Sequence, residues 1–130
     1  RFRELQFSDS QMDVIESYND YQITYRKVLD YLGEHPGLHA IYMANRSVSG
    51  CTEAVKEAGK KGKIRVICHD LSQSTKLLLQ DGSVDFTITQ NLYRQGYLPL
   101  IFLREYLQKN RLPTEEESQT EISIICSQNM

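Results

Sequence analysis

Residues 64–90 read IRVICHDLSQSTKLLLQDGSVDFTITQ. Two short apolar runs, IRVICH (64–69) and VDFTITQ (84–90), flank a stretch of helical pattern. Ser72 suits the N-cap of that helix, and Asp81-Gly82 suits its end. Strand, helix and strand in so short a span make a βαβ unit, which implies a parallel sheet. The run VIC (66–68) lacks polar alternation, as expected for a strand covered on both faces. Each strand stops on a polar side chain, Asp70 after the first and Gln90 at the end of the second. Such residues either cap helices or look into a pocket.

The same period extends in both directions. MDVIESY (12–18) and LHAIYMA (38–44) are apolar runs of strand length, and TEISIIC (120–126) is a final short strand. Tyr21, Tyr25, Val28, Leu29 and Leu32 form one helical stripe, with Asp20 as its N-cap and Gly33 with Pro36 at its end. Val48, Cys51, Val55 and Ala58 form a second, closed by Gly59. Leu92, Gly96, Leu100, Leu103 and Leu107 form the longest, and Pro99 either kinks it or lies in its first turns. PTEEESQ (113–119) reads as a solvated acidic connection. The expected class is α/β, with a Rossmann-like parallel sheet flanked by helices.

The chain has 130 residues, enough for a single core, with 40% hydrophobic and 25% charged residues, which is ordinary globular composition. Fifteen basic and seventeen acidic residues leave a net charge of −2, which argues against a grip on a phosphate backbone. No apolar run approaches the roughly 20 residues that span a bilayer. RFRELQF (1–7) has no signal-peptide core, and the chain begins without Met inside a helical pattern, so it reads as a fragment. Cys51, Cys68 and Cys126 are odd in number, widely spaced and in apolar company. Buried free thiols in a reducing compartment are the expected reading, and no CxxC or HxxxH pair offers a zinc site.

Ligands of an open parallel sheet bind beyond the carboxyl ends of its strands. LHAIYMA runs into Asn45 and Arg46, IRVICH into Asp70, and VDFTIT into Gln90. Two amides and a carboxylate on one rim offer donors and acceptors without a strong nucleophile, a set that suits polyhydroxylated ligands. Taken singly, Asp70 could start a helix and Asn45 could serve a turn. Gln90 favours neither role. No GxGxxG or P-loop is present, and GKKGK (59–63) lacks the phosphate-cradle spacing. His69 abuts Asp70 without a GxSxG elbow, so a hydrolase is not expected, and no acidic pair supports a phosphoacceptor site.

HPGLHAIYMANRSVSGCTEAVKEAGKKGKIRVICHD (35–70) and LLLQDGSVDFTITQNLYRQGY (77–97) resemble the C-terminal half of the type I periplasmic-binding-protein fold. They are most similar to the effector-binding part of lac-repressor-family transcription regulators. The resemblance runs from Arg1 to Asn129. It rests on the H-P-x-x-x-A-I segment at His35, the strand-final Asp70, the D-G-x-V-D-x-x-I-x-Q run to Gln90 and the R-Q-G-Y start of the last helix. It implies a ligand site of Asp70, Asn45, Gln90 and Arg3. Arg3 departs from the pattern of its helix, since Gln6 stands in place of a glycine. Arg46 replaces the usual Asp and would favour a ligand with an acidic group. His69 stands where relatives often carry Phe, and Tyr18 and Asn19 would complete the wall.

The same resemblance implies that residues 1–90 form a C-terminal subdomain whose first central strand, with the N-terminal subdomain, lies outside this chain. Residues 91–112 would be a helix packed on that other subdomain, and 113–130 an acidic connection and final strand. The function implied is sensing of a small effector, a carbohydrate by expectation, in a cytoplasmic regulator. No catalysis, cofactor or membrane contact is expected, and DNA would be bound through a helix-turn-helix outside this chain. An uncovered helix stripe and strand edge imply that the chain is dimeric, swapped or repacked, with a homodimer the expected partner state. The alternatives are a solute-binding protein of a transport or chemosensory system and an α/β interaction module without ligand.

Overall fold

The structure, a computed structural model, describes residues 12–130. Their elements run α1 (Tyr21–Glu34), β1 (Ala40–Met43), α2 (Val48–Glu57), β2 (Arg65–His69), α3 (Gln73–Gln80), β3 (Phe86–Gln90), α4 (Leu92–Lys109), α5 (Glu115–Ser118) and β4 (Ile122–Ile125). The sheet order is β1-β2-β3-β4, with β1–β2 and β2–β3 parallel and β3–β4 antiparallel. The sheet is therefore mixed rather than wholly parallel. Gln90 pairs with Ile122, so the chain leaves the sheet and re-enters it at the same rim, and β4 has to run back.

Local chemistry sets the helix ends. Asp20 Oδ1 accepts from the Ile23 N–H at 2.8 Å, and Ser72 Oγ accepts from the Thr75 N–H at 3.1 Å. Helices α2 and α3 both close in Schellman turns around left-handed glycines. The Lys60 N–H reaches Val55 O at 3.0 Å past Gly59, and the Ser83 N–H reaches Leu78 O at 2.9 Å past Gly82. The acidic connection is not merely a loop. Thr114 and Glu117 form a reciprocal capping box on α5, and Arg111 grips both oxygens of Glu117 at 2.7 and 2.9 Å. Those two partners, the Thr114 N–H first, hold the Glu117 carboxyl below its usual range. Pro99 lies inside α4, whose helix continues to Lys109.

The core lies on one face of the sheet. Ile41, Val66, Met43, Cys68, Thr87 and Ile125 share that face by register. Val28 and Leu32 of α1, Cys51, Ala54 and Val55 of α2, and Leu79 of α3 pack into the same cluster. Helices α1 and α2 approach so closely that a Cβ at Gly50 would sit 2.6 Å from Tyr21 O. The opposite face carries Tyr42, Ile67, Phe86, Ile88, Ile122 and Ile124. There Tyr42 is 53% exposed, Ile124 61% and Ile122 65%, and α4 contains no buried residue. The expectation of strands covered on both faces is thus corrected among the described residues. Helices α1, α2 and α3 cover one side, α2 and α3 as the crossovers between the parallel strands, and apolar runs on the other remain open.

MDVIESY needs a second correction. Residues 12–17 form no strand, and Val14 is 84% exposed. A strand requires a neighbour's N–H and C=O groups, and β1 pairs with β2 alone among the described residues. The segment is instead tied to α1. Lys27 Nζ donates to Glu16 O at 2.8 Å, and the Tyr31 hydroxyl donates to Asp13 at 2.5 Å.

Candidate functional site

The parallel register brings the strand ends to one rim. Met43 pairs with Cys68, and Asn45 and Asp70 each lie two residues further on. Gln90 ends the neighbouring β3, whose Ile88 pairs with His69. Asp70 does not cap α3, because Ser72 does. Its backbone is left-handed at φ 65°, a conformation Asp tolerates, and the turn takes its exposed side chain out of the strand's alternation. That turn is pinned on both sides: the Asp70 N–H donates to Ile88 O at 2.9 Å, and the buried Thr87 hydroxyl donates to Asp70 O at 3.1 Å and Cys68 O at 3.2 Å. Burial raises the Cys68 thiol pKa, and the Asp70 charge acts in the same direction.

Asn45 serves the turn that the sequence allowed. Its Oδ1 accepts from the Ser47 N–H at 3.0 Å, which shapes the turn into α2. Its Nδ2 donates to Ser17 Oγ at 2.8 Å and retains a second hydrogen. Asn19 Oδ1 accepts from the Arg46 N–H at 3.0 Å. Tyr18 and Asn19 both have left-handed backbone, φ 53° and 58°, and that turn seats Asn19 beside Arg46, whereas the Tyr18 hydroxyl donates to Glu16 at 3.2 Å and its ring faces Lys27 Nζ. His69 Nε2 meets the Tyr42 hydroxyl, with the rings edge-to-face at 5.4 Å. The Gln95 side-chain amide donates to Gln90 Oε1. Arg3 lies outside the described residues.

The structure thus assembles two neighbouring groups on this edge. Asn19, Asn45 and Arg46 form one at the end of β1, with Tyr18 turned to Glu16 and Lys27, and His69, Asp70 and Gln90 follow along β2 and β3. Sequence reading missed Ser17, Tyr42, Thr87 and Gln95. Alternation could have paired Tyr42 with His69, since both fall on the Ile67 side of the sheet. No local signal marks Ser17, whose partner lies across the fold. Among the described residues, no group of three or more His, Cys, Asp or Glu side chains could hold a metal.

Residues 2–111 match the family described as "Periplasmic binding protein domain". The chain belongs to the periplasmic binding protein domain family. The periplasmic-binding-protein chain is 38% identical over 66 residues to the D-ribose/D-allose-binding protein of Pseudomonas aeruginosa, across 50% of this chain and 21% of that protein. It is 29% identical over 106 residues to the xylose/arabinose-binding protein of Sulfolobus acidocaldarius, across 77% of this chain and 26% of that protein. An ABC transporter solute-binding protein from Agrobacterium vitis, solved with D-fucose, superposes with a TM-score of 0.79 at 25% identity, over 98% of this chain and 45% of that one. A glucose-galactose binding protein from Geobacillus stearothermophilus shares the fold, with a TM-score of 0.82 at 22% identity, over 99% of this chain and 46% of that one. The chain spans about a quarter or less of those two curated relatives, and under half of the solved ones. By name, three of these four relatives are sugar-binding proteins and the fourth is an ABC transporter solute-binding protein. The comparisons support the type I periplasmic-binding-protein fold of the resemblance and do not show its lac-repressor-family part.

Proposed function

We propose that this chain is the C-terminal sugar-binding lobe of a solute-binding protein in a transport or chemosensory system. The observation that carries this reading is the strand-end rim in a chain whose named relatives bind sugars. Asp70 would accept from two sugar hydroxyls, with Asn45 and Gln90 on either side of it. Arg46, Tyr18, Asn19 and His69 would line the wall, and Arg3 would add a cation. No group there is needed as a nucleophile, so the role is binding without catalysis. Thermal shift of the full gene product with D-ribose, D-xylose, D-galactose and D-fucose tests the reading. A rise in melting temperature with at least one supports it, and none with any overturns it. Arg46→Ala separates ligand types: it should weaken acidic sugars such as D-galacturonate more than neutral ones, and equal binding of both, unchanged by the substitution, removes that role.

A second reading is the effector domain of a cytoplasmic DNA-binding regulator that acts as a homodimer. The observation that favours it is three unpaired cysteines, two of them buried, which suits a reducing compartment. The open sheet face and the exposed α4 stripe also favour association of this chain. Under this reading DNA contact comes from a helix-turn-helix outside the chain. The sequence encoded upstream of Arg1 discriminates: a helix-turn-helix supports the regulator, and a signal peptide the transport protein. Light scattering of the isolated chain tests association, and a monodisperse monomer overturns it.

A further inference from the structure

Gln95 sits in the second turn of α4, five residues after the strand-final Gln90, and both side chains are half-buried. Its Nε2 donates to Gln90 Oε1. The Gln95 backbone is itself anchored, since its N–H reaches Asn91 O at 2.9 Å and Asn91 caps the helix by accepting from the Arg94 N–H at 3.0 Å. A glutamine amide has one accepting end and one donating end. With Oε1 turned to Gln95, the end of Gln90 left for a ligand is its Nε2 donor. We infer that Gln95 is the positioning residue of this site, fixing the amide of Gln90 so that it presents a donor to the sugar.

The inference rests on the sugar-binding reading and deepens it. An ionised Asp70 accepts hydrogen bonds and cannot donate one, so a second acceptor beside it would compete for the same hydroxyl hydrogens. A donor at Gln90 instead completes the set, because a sugar hydroxyl both donates and accepts. Leaving Gln90 unheld would let its amide turn over freely. Replacing Gln95 by a carboxylate would turn it the wrong way, drawing Nε2 inward and leaving Oε1 outward beside Asp70.

Isothermal titration of the full gene product with D-ribose, D-xylose and D-galactose tests this. Gln90→Met and Gln95→Met should each weaken the bound sugar about tenfold, the size of one neutral hydrogen bond. The double variant should weaken it by no more than about tenfold, because both changes remove one coupled unit. Gln95→Glu should weaken it as well, at unchanged melting temperature without sugar. If Gln90→Met weakens binding while Gln95→Met leaves it intact, or if the two losses multiply to about a hundredfold, the positioning role is overturned and the site stands. If Gln90→Met has no effect, the site assignment of Gln90 fails and the inference with it. If no sugar binds, the sugar reading fails first.

Discussion

At the residue scale, Asp70 carries the most weight. It is an acceptor held at the rim by a left-handed turn, with its N–H bonded to Ile88 and its carbonyl to Thr87. Under the proposed reading, Asp70→Ala should cost the full gene product about 2–5 kcal/mol of sugar affinity, as expected when one partner of a charged hydrogen-bond set is removed. Calorimetry that finds affinity unimpaired would remove Asp70 from the site. Thr87 is fully buried and its hydroxyl serves both Cys68 O and Asp70 O. Thr87→Val keeps the shape and deletes the donor, so it should destabilise the fold by about 1–3 kcal/mol. A urea midpoint equal to that of the parent chain would contradict this. Asp70, Asn45 and Gln90 were legible in the sequence because each is the polar residue where an apolar run stops. Ser17 was not legible as a site neighbour, because its partner Asn45 lies across the fold, whereas strand alternation could have placed Tyr42 on the same face as His69.

At the scale of elements, the helices follow local signals closely. Asp20, Ser72 and Asn91 cap where caps are chemically favoured, and Gly59 and Gly82 close helices at positive φ. Asp20→Ala should cost about 1 kcal/mol of stability, read as a lower denaturation midpoint. Gly50 has a different reason. It lies in the interior of α2, where glycine lowers helix propensity, but a Cβ there meets Tyr21 O at 2.6 Å. Gly50→Ala should therefore destabilise by about 1–3 kcal/mol despite the better propensity. An unchanged or raised midpoint would show that α1 shifts at little cost. MDVIESY fails as a strand for the complementary reason. Its residues favour extended backbone, but a ladder needs a neighbour, and propensity cannot supply one.

At the scale of the molecule, the buried thiols link stability to alkaline pH. Burial pushes the Cys51 thiol up to about 12 from an ordinary value of 9.0, with Cys68 acting in the same direction. Between those values the unfolded chain has lost the proton and the folded chain still holds it, so the unfolded state binds fewer protons and stability falls as pH rises. The slope from this one group approaches 1.4 kcal/mol per pH unit, on the order of 2.303RT. Below pH 9 the contribution is fully present. Denaturation midpoints should therefore drop from pH 9 toward 12, and the drop should be smaller in Cys51→Ala. Equal slopes in both chains would show that Cys51 is not the group responsible.

The sequence by itself determined the order of strands and helices, the parallel βαβ units, the helix caps and the polar residues at the strand ends. These depend on periodicity and on turn chemistry within a few residues. Tertiary structure alone decided the antiparallel return of β4, the one-sided cover of the sheet, the failure of residues 12–17 to join it and the hydrogen bonds that hold the rim in place. The physical reason is that these depend on which backbone groups and faces meet across the fold. A strand's neighbour, a helix's side and the orientation of an amide are all set by contacts, and no side chain carries them alone.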